Sequence, residues 1–461
     1  MGLSKSRTIH FVGIGGSGMS GIAEILLNLG HKVQGSDITL SEVIYRLEKL
    51  GAKVFIGHDG ENVGDAEVLV TSSAVQPDNA EVVTAIGKGI PVIPRAEMLS
   101  ELMRMKEGIA VAGAHGKTTT STLIATILAE ADLDPTVVIG GRVKKFGSGA
   151  KLGKGDFLVA EADESDGSFL QLIPSVSVVT NIDAEHLDHY GTEKKLHEAF
   201  LEFCNKVPFF GATIANGDDP VLRSFIPKMN KKYITFGFSD ENEIYAEGFK
   251  QKGLQCSFNV IKGGKKLGKV EINLPGRHNA LNALAAIQTA LFLEIDFSKI
   301  VKALKDFSGI GRRVEIKGER NGVTVMDDYG HHPTEITATI TSLKEAYKGV
   351  RLVVLFQPHR YTRTRDCLEG FYNSFKGADI LLLAPIYAAS EKPIKGIDSK
   401  LLFDGVVASG QKNVHLLADI DDIQEWLEKK SKKGDLFLTL GAGNVFLQGE
   451  KYIEHGSNEE E

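Results

Sequence analysis

The sequence predicts an α/β protein of three domains, with a Rossmann-like N-terminal domain at 1–107, a central P-loop ATPase-like domain with an antiparallel patch at 108–310, and a Rossmann-like C-terminal domain at 311–461. Three observations predict it. The 461 residues amount to about three domains of about 150 residues, each long enough to bury a core. Short apolar runs alternate with helical periodicity along most of the chain, the pattern of βαβ units. Glycine-rich loops stand between a strand and a helix at 13–18 and again at 113–116.

Composition sets the outer bounds. Hydrophobic residues at 42% and charged residues at 25% are ordinary for a folded domain, and no apolar run reaches the 18 residues of a membrane span. With 53 Lys and Arg against 60 Asp and Glu, the net charge of −7 argues against broad capture of nucleic acid. Neither a membrane nor a nucleic acid is an expected partner, so an anionic ligand must be held by a local site. Cys204, Cys256 and Cys367 lie far apart without a CxxC pair, and the opening MGLSKSRTIHF has no apolar leader. A reducing cytoplasm is the expected location. Met1-Gly2 with Ser6 formally fits a myristoylation pattern, but no polybasic patch supplies the second anchor that stable attachment needs. Glycine is in excess, 50 residues against a usual share of about 7%, while proline is scarce at 13, so the placement of the glycines carries information.

In the first domain TIHFVG (8–13) reads as a buried strand, the run to Gly30 as a helix, and HKVQGSD (31–37) as a second strand. Gly13, Gly15, Gly16, Ser17 and Gly18 lie at the first strand-to-helix turn, and Asp37 ends the next strand about 20 residues on, as in a dinucleotide fold. The helix N-terminus suits a diphosphate, whether of NAD or of a nucleotide sugar, and the motif does not separate the two. AEVLVTSS and IPVIP continue the alternation to about residue 107.

The central domain opens with the strand GIAVAG (108–113), then Gly113, His115, Gly116, Lys117, Thr118 and Thr119, then the helical STLIATILAE. This reads as a phosphate loop: backbone N–H groups converge on phosphate oxygens, Lys117 reaches the β and γ phosphates, and Thr118 holds Mg²⁺. The full pattern wants glycine where this chain has Val111. DFLVAEAD and SVSVVTNID are two further strands with polar ends. Glu161, Asp163, Glu164 and Asp166 crowd four carboxylates into six residues, tolerable when buried only beside cations, and Mg²⁺ fits; a solvated acidic loop is the plainer alternative. His186 follows the second strand, and its HxxH pairing with His189 lacks the further ligands a zinc site needs. From 230 to 275, KYITFG, EIYAEGF, LQCSFNVI and KVEINL alternate with polar turns and no helix pattern, which predicts the antiparallel patch. Asn279 and Asn282 stand three apart on one helical face and suit a base edge, although N-capping accounts equally for Asn279.

After a hinge-like SGIGRR (308–313), the strands TVMDD, RLVVLF, ILLLAP and LFLTLGAG alternate with helices toward an acidic NEEE tail. Two polar segments, Asp327 to Pro333 and Gln357 to Arg363, each follow a strand, and arginine forks there suit carboxylates or phosphates.

Taken in order, GIGGSGMSGIAEILLNLG, GSD, AGAHGKTTT, EADESDGSF, NIDAEHLDHY, GRHNALNALAA, GIGRR, DDYGHHPTEI and FQPHRYTRTR resemble the Mur ligases of bacterial cell-wall synthesis, in their alanine-adding branch. The resemblance implies three domains for a UDP sugar, ATP and an amino acid, and an enzyme joining L-alanine to the carboxylate of UDP-N-acetylmuramate through an acyl phosphate. It places Gly15, Gly16, Ser17 and Gly18 at the UDP diphosphate, with Asp37 on the same site. ATP falls to Gly113, His115, Gly116, Lys117, Thr118, Thr119, Asn279, Asn282, Arg313 and Asp328, the last toward the ribose. Magnesium falls to Thr118, Glu161 and His186, and the amino acid to Tyr329, His359, Arg360 and Arg363. Lys117, His186, His331 and Arg360 are the residues implied for catalysis. Several sister ligases carry a carbamylated lysine where this chain has Phe200, which fits the alanine-adding branch and argues against a carbamate-bridged metal. A ligase that attaches a recycled tripeptide shares much of the pattern. A nicotinamide oxidoreductase would explain only the first glycine loop, and a non-catalytic nucleotide switch only the second.

Overall fold

The structure, a computed structural model, describes residues 6–72, 74–143, 148–389 and 391–454, without the side chains of residues 17, 141–143 and 148; the acidic tail lies outside the described residues. The chain forms two compact units: residues 1–248 with 258–271 and 280–308, and residues 249–257 with 272–279 and 309–461. The division near residue 308 falls inside SGIGRR.

The first unit contains a five-stranded sheet of β1 (Thr8–Val12), β2 (Lys32–Asp37), β3 (Lys53–Ile56), β4 (Val68–Thr71) and β5 (Val92–Pro94), ordered β3-β2-β1-β4-β5 and parallel throughout. The order reverses at β1, so the crevice outside the carboxyl ends of β1 and β4 is the topological switch point where such sheets bind ligands. The helix Ser17–Asn28 rises from that end, and the core it enters is continuous with residues of the second sheet, from Ile9 and Ile22 to Val138 and Ala150. Gly21 permits the approach, because a Cβ there would already lie 3.2 Å from the Ala150 Cβ.

The second sheet has ten strands: β6 (Glu107–Ala112), β7 (Thr136–Val143), β8 (Ser148–Lys151), β9 (Phe157–Glu161), β10 (Val176–Val179), β11 (Ala212–Asn216), β12 (Tyr233–Gly237), β13 (Ile244–Lys252), β14 (Gln255–Lys262) and β15 (Lys265–Ile272). Their order is β15-β14-β13-β12-β11-β10-β6-β9-β7-β8. The antiparallel patch is smaller than the sequence predicts. KYITFG, as β12, runs parallel to β11 and, over its last two residues, to β13. The helix Pro220–Phe225 carries the chain across from β11, and a helical crossover returns a strand parallel. The hairpins are β13-β14 and β14-β15, joined by Gly253-Leu254 and Gly263-Gly264, where glycines at φ 57°, 53° and 74° accept the left-handed backbone of a tight turn.

In the second unit β16 (Glu315–Arg320), β17 (Val323–Asp328), β18 (Leu352–Phe356), β19 (Ile380–Leu383), β20 (Val414–Leu416) and β21 (Leu436–Leu440) form a sheet ordered β16-β17-β21-β18-β19-β20. All neighbours are parallel except β16 with β17. Alternate residues enter opposite cores: Met326, Val354, Phe356 and Leu438 on one face, Val325, Val353, Leu355 and Phe437 on the other. Burial on both faces explains why these strands read as unbroken apolar runs. Asp328 and Phe356 both pair with Leu440, so the carboxyl ends of β17 and β18 share one edge with β21. Among the described residues no helix is long and apolar enough to cross a membrane.

Candidate active site

The glycine loop after β1 is stapled to β2: the amides of Gly13 and Ile14 donate to Ser36 O at 2.8 and 3.0 Å. Gly15 N donates to Asp37 Oδ2 at 2.9 Å, and Gly16 N to Gly13 O at 3.1 Å. Asp37 therefore shapes the loop; at the start of the helix Ser17–Asn28 the amides of Met19 and Ser20 already donate to Gly16 O at 3.0 and 2.9 Å, so an anion there would meet the amides of residues 17 and 18. The Ser17 side chain lies outside the described residues. Gly18 has the guanidinium of Arg95 against it; a Cβ would collide with Nη1 and sit 2.9 Å from Cζ. Arg95, absent from the sequence reading, donates from Nη2 to Asp163 Oδ2 at 2.9 Å. Burial works against the Asp163 carboxylate, yet the Arg95 charge and a hydrogen bond from Ser165 hold it down at about 2.

The loop after β6 has the strand–loop–helix form that the sequence predicts. Strand β6 ends at Ala112, Gly113 takes φ 132° and Gly116 φ 85°, and the helix Lys117–Glu130 starts at once. A Cβ on Gly113 would collide with Thr180 Oγ1, and one on Gly116 with Asn282 Oδ1. Asn282 also accepts from Thr120 Oγ1 at 3.3 Å, which brings the predicted base-edge residue against the loop. Lys117 Nζ donates to Gly113 O at 2.6 Å, Ala114 O at 3.3 Å and Glu164 Oε1 at 2.7 Å. Burial alone would lower the lysine, but Glu164 outweighs it and keeps the ammonium charged. Burial pushes the Glu164 carboxyl up to about 7 against the pull of Lys117.

Carboxylates and imidazoles surround this lysine. His186, in the left-handed region at φ 58°, has Nε2 3.9 Å from Glu164 Oε1 and 3.6 Å from Glu185 Oε2. His115 takes Asn181 Oδ1 on its amide at 2.9 Å, and its Nε2 lies 3.1 Å from Asp183 Oδ2 and 3.5 Å from Glu185 Oε1. Glu161 ends β9 with Oε2 beside Gly140. Thr118 and the buried Thr119 occupy the first helical turn. Glu164 Oε2 is buried with no hydrogen-bond partner among the described residues. An orphaned carboxylate oxygen within an oxygen-rich donor set fits a hard divalent cation such as Mg²⁺. Asp183 and Glu185 were legible in NIDAEHLDHY only as polar residues after a strand. Phe200 is buried in the core, its ring 5.3 Å from Phe169, so that position is apolar packing and no carbamate place.

In the second unit Asn279 is buried and donates from Nδ2 to Pro275 O at 2.7 Å, a contact other than an N-cap. Asp328 is buried too; Oδ2 accepts from Val314 N and Oδ1 from Gly330 N, each at 2.9 Å, and burial pushes its carboxyl up to about 6 against Arg313. It clamps the turn that presents Tyr329 and His331. Arg313 lies 5.3 Å over the Tyr329 ring, within cation–π range. Tyr329 meets His331 edge-on at 5.4 Å, and the His331 and His359 rings are 6.1 Å apart. His359 stacks on Tyr387 at 5.6 Å and its Nδ1 lies 3.2 Å from Arg363 Nη1. Arg360 sits at φ 69° with its amide donating to Tyr387 O at 2.8 Å. Such a backbone in a non-glycine residue is a mark of functional loops. Burial holds His331 down at about 3, and burial with the charges of Arg363 and Arg360 holds His359 down at about 4, so both imidazoles are neutral near pH 7. Two neutral histidines among three arginines make a cluster suited to an anion; Tyr387 is its member that the sequence reading missed.

Three family models match the chain in order: the catalytic domain of the Mur ligase family over residues 8–107, the Mur ligase middle domain over 111–290, and the Mur ligase glutamate ligase domain over 312–443. The UDP-N-acetylmuramate--L-alanine ligase of Geobacter sp. (strain M21) is 52% identical over 449 residues, 97% of each chain. Among solved structures, the UDP-N-acetylmuramate-alanine ligase of Thermotoga maritima matches with a TM-score of 0.85 at 28% identity, over 98% of this chain and 100% of that one. A murein peptide ligase of Psychrobacter arcticus matches with a TM-score of 0.73 at 25% identity, over 97% and 98%.

Proposed function

The chain belongs to the Mur ligase family, and from that premise we propose that it joins L-alanine to the carboxylate of UDP-N-acetylmuramate at the expense of ATP, in peptidoglycan precursor synthesis. The observation that carries this reading is the 52% identity, over 97% of both chains, to a UDP-N-acetylmuramate--L-alanine ligase. Phe200 in the core agrees with it.

The chemistry follows from the residues present. A carboxylate resists an amine because its oxygen leaves badly, so the γ-phosphoryl of ATP first converts it to an acyl phosphate, which the amine then displaces. Two anions approach in the first step. Lys117 lowers their repulsion by exchanging Glu164 or a loop carbonyl for phosphate oxygens, and the amides from Gly116 into the first turn of the helix Lys117–Glu130 hold the same phosphates, those of Ala114 and His115 being taken by Asn181. Thr118, Glu161, Glu164 and His186 are the groups that would hold Mg²⁺, which when bound supplies further charge neutralisation. Asn279 and Asn282 take the adenine edge. Arg360 and Arg363 take the carboxylate of the amino acid, and His331 and His359, held neutral, line the same place without adding positive charge beside its ammonium. The amides of Ser17 and Gly18 hold the UDP diphosphate at the helix N-terminus, on the turn that Gly15 and Gly16 shape through their bonds to Asp37 and Gly13. The cytoplasm, where ATP and nucleotide sugars occur together, is the expected place of action.

The test is a competition with purified protein, ATP, Mg²⁺ and UDP-N-acetylmuramate in which L-alanine and a muramyl-type tripeptide are offered at equal concentration and the product mass is read. The alanyl product is expected; the tripeptide product alone would replace this reading with that of a recycling ligase.

A further inference from the structure

His186 takes the left-handed backbone just before the single helical turn Leu187–Tyr190, and the Tyr190 amide closes that turn on His186 O at 3.1 Å. The backbones of the two residues are thereby fixed relative to each other. The Tyr190 ring is buried and meets His189 edge-on at 4.8 Å, and its hydroxyl donates to Glu164 O at 2.6 Å. Glu164 O accepts a second bond from Gly167 N at 3.1 Å, which closes the acidic loop after β9 into a turn. Gly167 lets that turn lie on the helix, because a Cβ there would come 3.1 Å from His189 Nε2 and 3.9 Å from Tyr190 Oη. Residues 162–167 are neither strand nor helix, so the direction of the Glu164 carboxylate depends on what holds its backbone. That carboxylate sends Oε1 to Lys117 Nζ at 2.7 Å and keeps Oε2 buried without a partner among the described residues, while His186 Nε2 lies 3.9 Å from Oε1. A short, buried hydroxyl–carbonyl bond is a firm tie, and groups that orient a metal ligand from behind matter nearly as much as the ligand.

We propose that Tyr190 is a positioning residue: its hydroxyl holds the Glu164 backbone beside His186, so that the Glu164 carboxylate and the His186 imidazole converge on one divalent cation while Oε1 keeps its bond to Lys117. The inference rests on the reading of Glu164 and His186 as groups that hold Mg²⁺. Tyr190 acts through Glu164 and carries no ligand atom of its own. The tie joins the loop after β9 to the segment after β10, 26 positions apart in the chain, so the two halves of the cation site are set by one hydroxyl.

The experiment is calorimetric titration of the full chain with ADP, first without metal and then over a series of Mg²⁺ concentrations. The wild-type chain is expected to bind ADP more tightly as Mg²⁺ is added, and the Mg²⁺ concentration that gives half of this effect reads how well the cation is held. Tyr190→Phe removes one oxygen and keeps the ring. It should raise that half-point about 10-fold, the lower end of the cost of losing a partner behind a metal ligand, and leave the metal-free Kd for ADP within about twofold. Glu164→Gln should raise the half-point further, and the double variant should be no weaker than Glu164→Gln alone, because the tyrosine acts through the glutamate. A half-point within about twofold of wild type in Tyr190→Phe would overturn the proposal. Equal weakening of ADP with and without Mg²⁺ would overturn it too, as the mark of a merely structural contact, and so would multiplying effects in the double variant. A wild-type chain whose ADP affinity ignores Mg²⁺ would instead contradict the reading of Glu164 and His186 as cation-holding groups, and the inference with it.

Discussion

Lys117 Nζ lies 2.7 Å from Glu164 Oε1, in a pair whose carboxyl side chain is only 3% exposed. With Gly113 O and Ala114 O on its remaining donors, the ammonium is fully coordinated by protein. Binding a phosphate therefore means trading a partner, and the trade costs little because charge is exchanged for charge.

Removing this cation tests that exchange. Lys117→Met should abolish phosphate release from ATP while far-ultraviolet circular dichroism stays native. The buried carboxyl of Glu164, left without its partner, becomes protonated instead of unfolding the loop. Steady-state activity within tenfold of wild type would refute the assignment.

Gly116 stands at φ 85° with Asn282 Oδ1 where its Cβ would be. Gly116→Ala should destabilise by about 1–3 kcal/mol through backbone strain and steric overlap, and should weaken nucleotide binding by displacing Asn282. Thermal melting and ADP titration measure the two effects separately.

Histidines 331 and 359 tie stability to acidity. Their folded values of about 3 and about 4 lie below the ordinary 6.5, so between those limits the unfolded chain binds more protons than the folded one. Stability is then undiminished above about pH 6.5 and falls as pH drops toward 4, by up to about 1.4 kcal/mol per pH unit for each group. His331→Gln should flatten part of that slope in urea melts taken from pH 4 to 7. An unchanged slope would show that the imidazole is not held neutral.

Phe200 decides the carbamate question. Activity should be the same in buffers stripped of carbon dioxide and in bicarbonate, since no lysine stands at this place. Phe200→Ala should cost about 3–5 kcal/mol, as expected of a large core ring among Phe169 and Phe203.

Strong local periodicity made much of the fold legible. β1, β6, β10, β18 and β21 are near-continuous apolar runs because both faces of a parallel sheet are covered, and glycine loops follow two of them. β12 was misread because its neighbours in sequence form hairpins, while its own pairing is set by the helix before it, a tertiary fact with no local signature. The site was legible where backbone geometry demands a residue type, as at Gly113, Gly116 and Gly18. It was illegible where one side chain reaches a distant element. Arg95 bonds to a residue 68 positions away, and Tyr387 stacks on His359 across a loop, so neither carries a pattern of its own.

The most direct measurement is release of phosphate from ATP by the wild-type chain, with UDP-N-acetylmuramate and L-alanine added singly and together. Sustained release only when both are present, matched mole for mole by UDP-N-acetylmuramoyl-L-alanine, is the predicted result. Sustained release with either one alone, or none with both, would contradict the account.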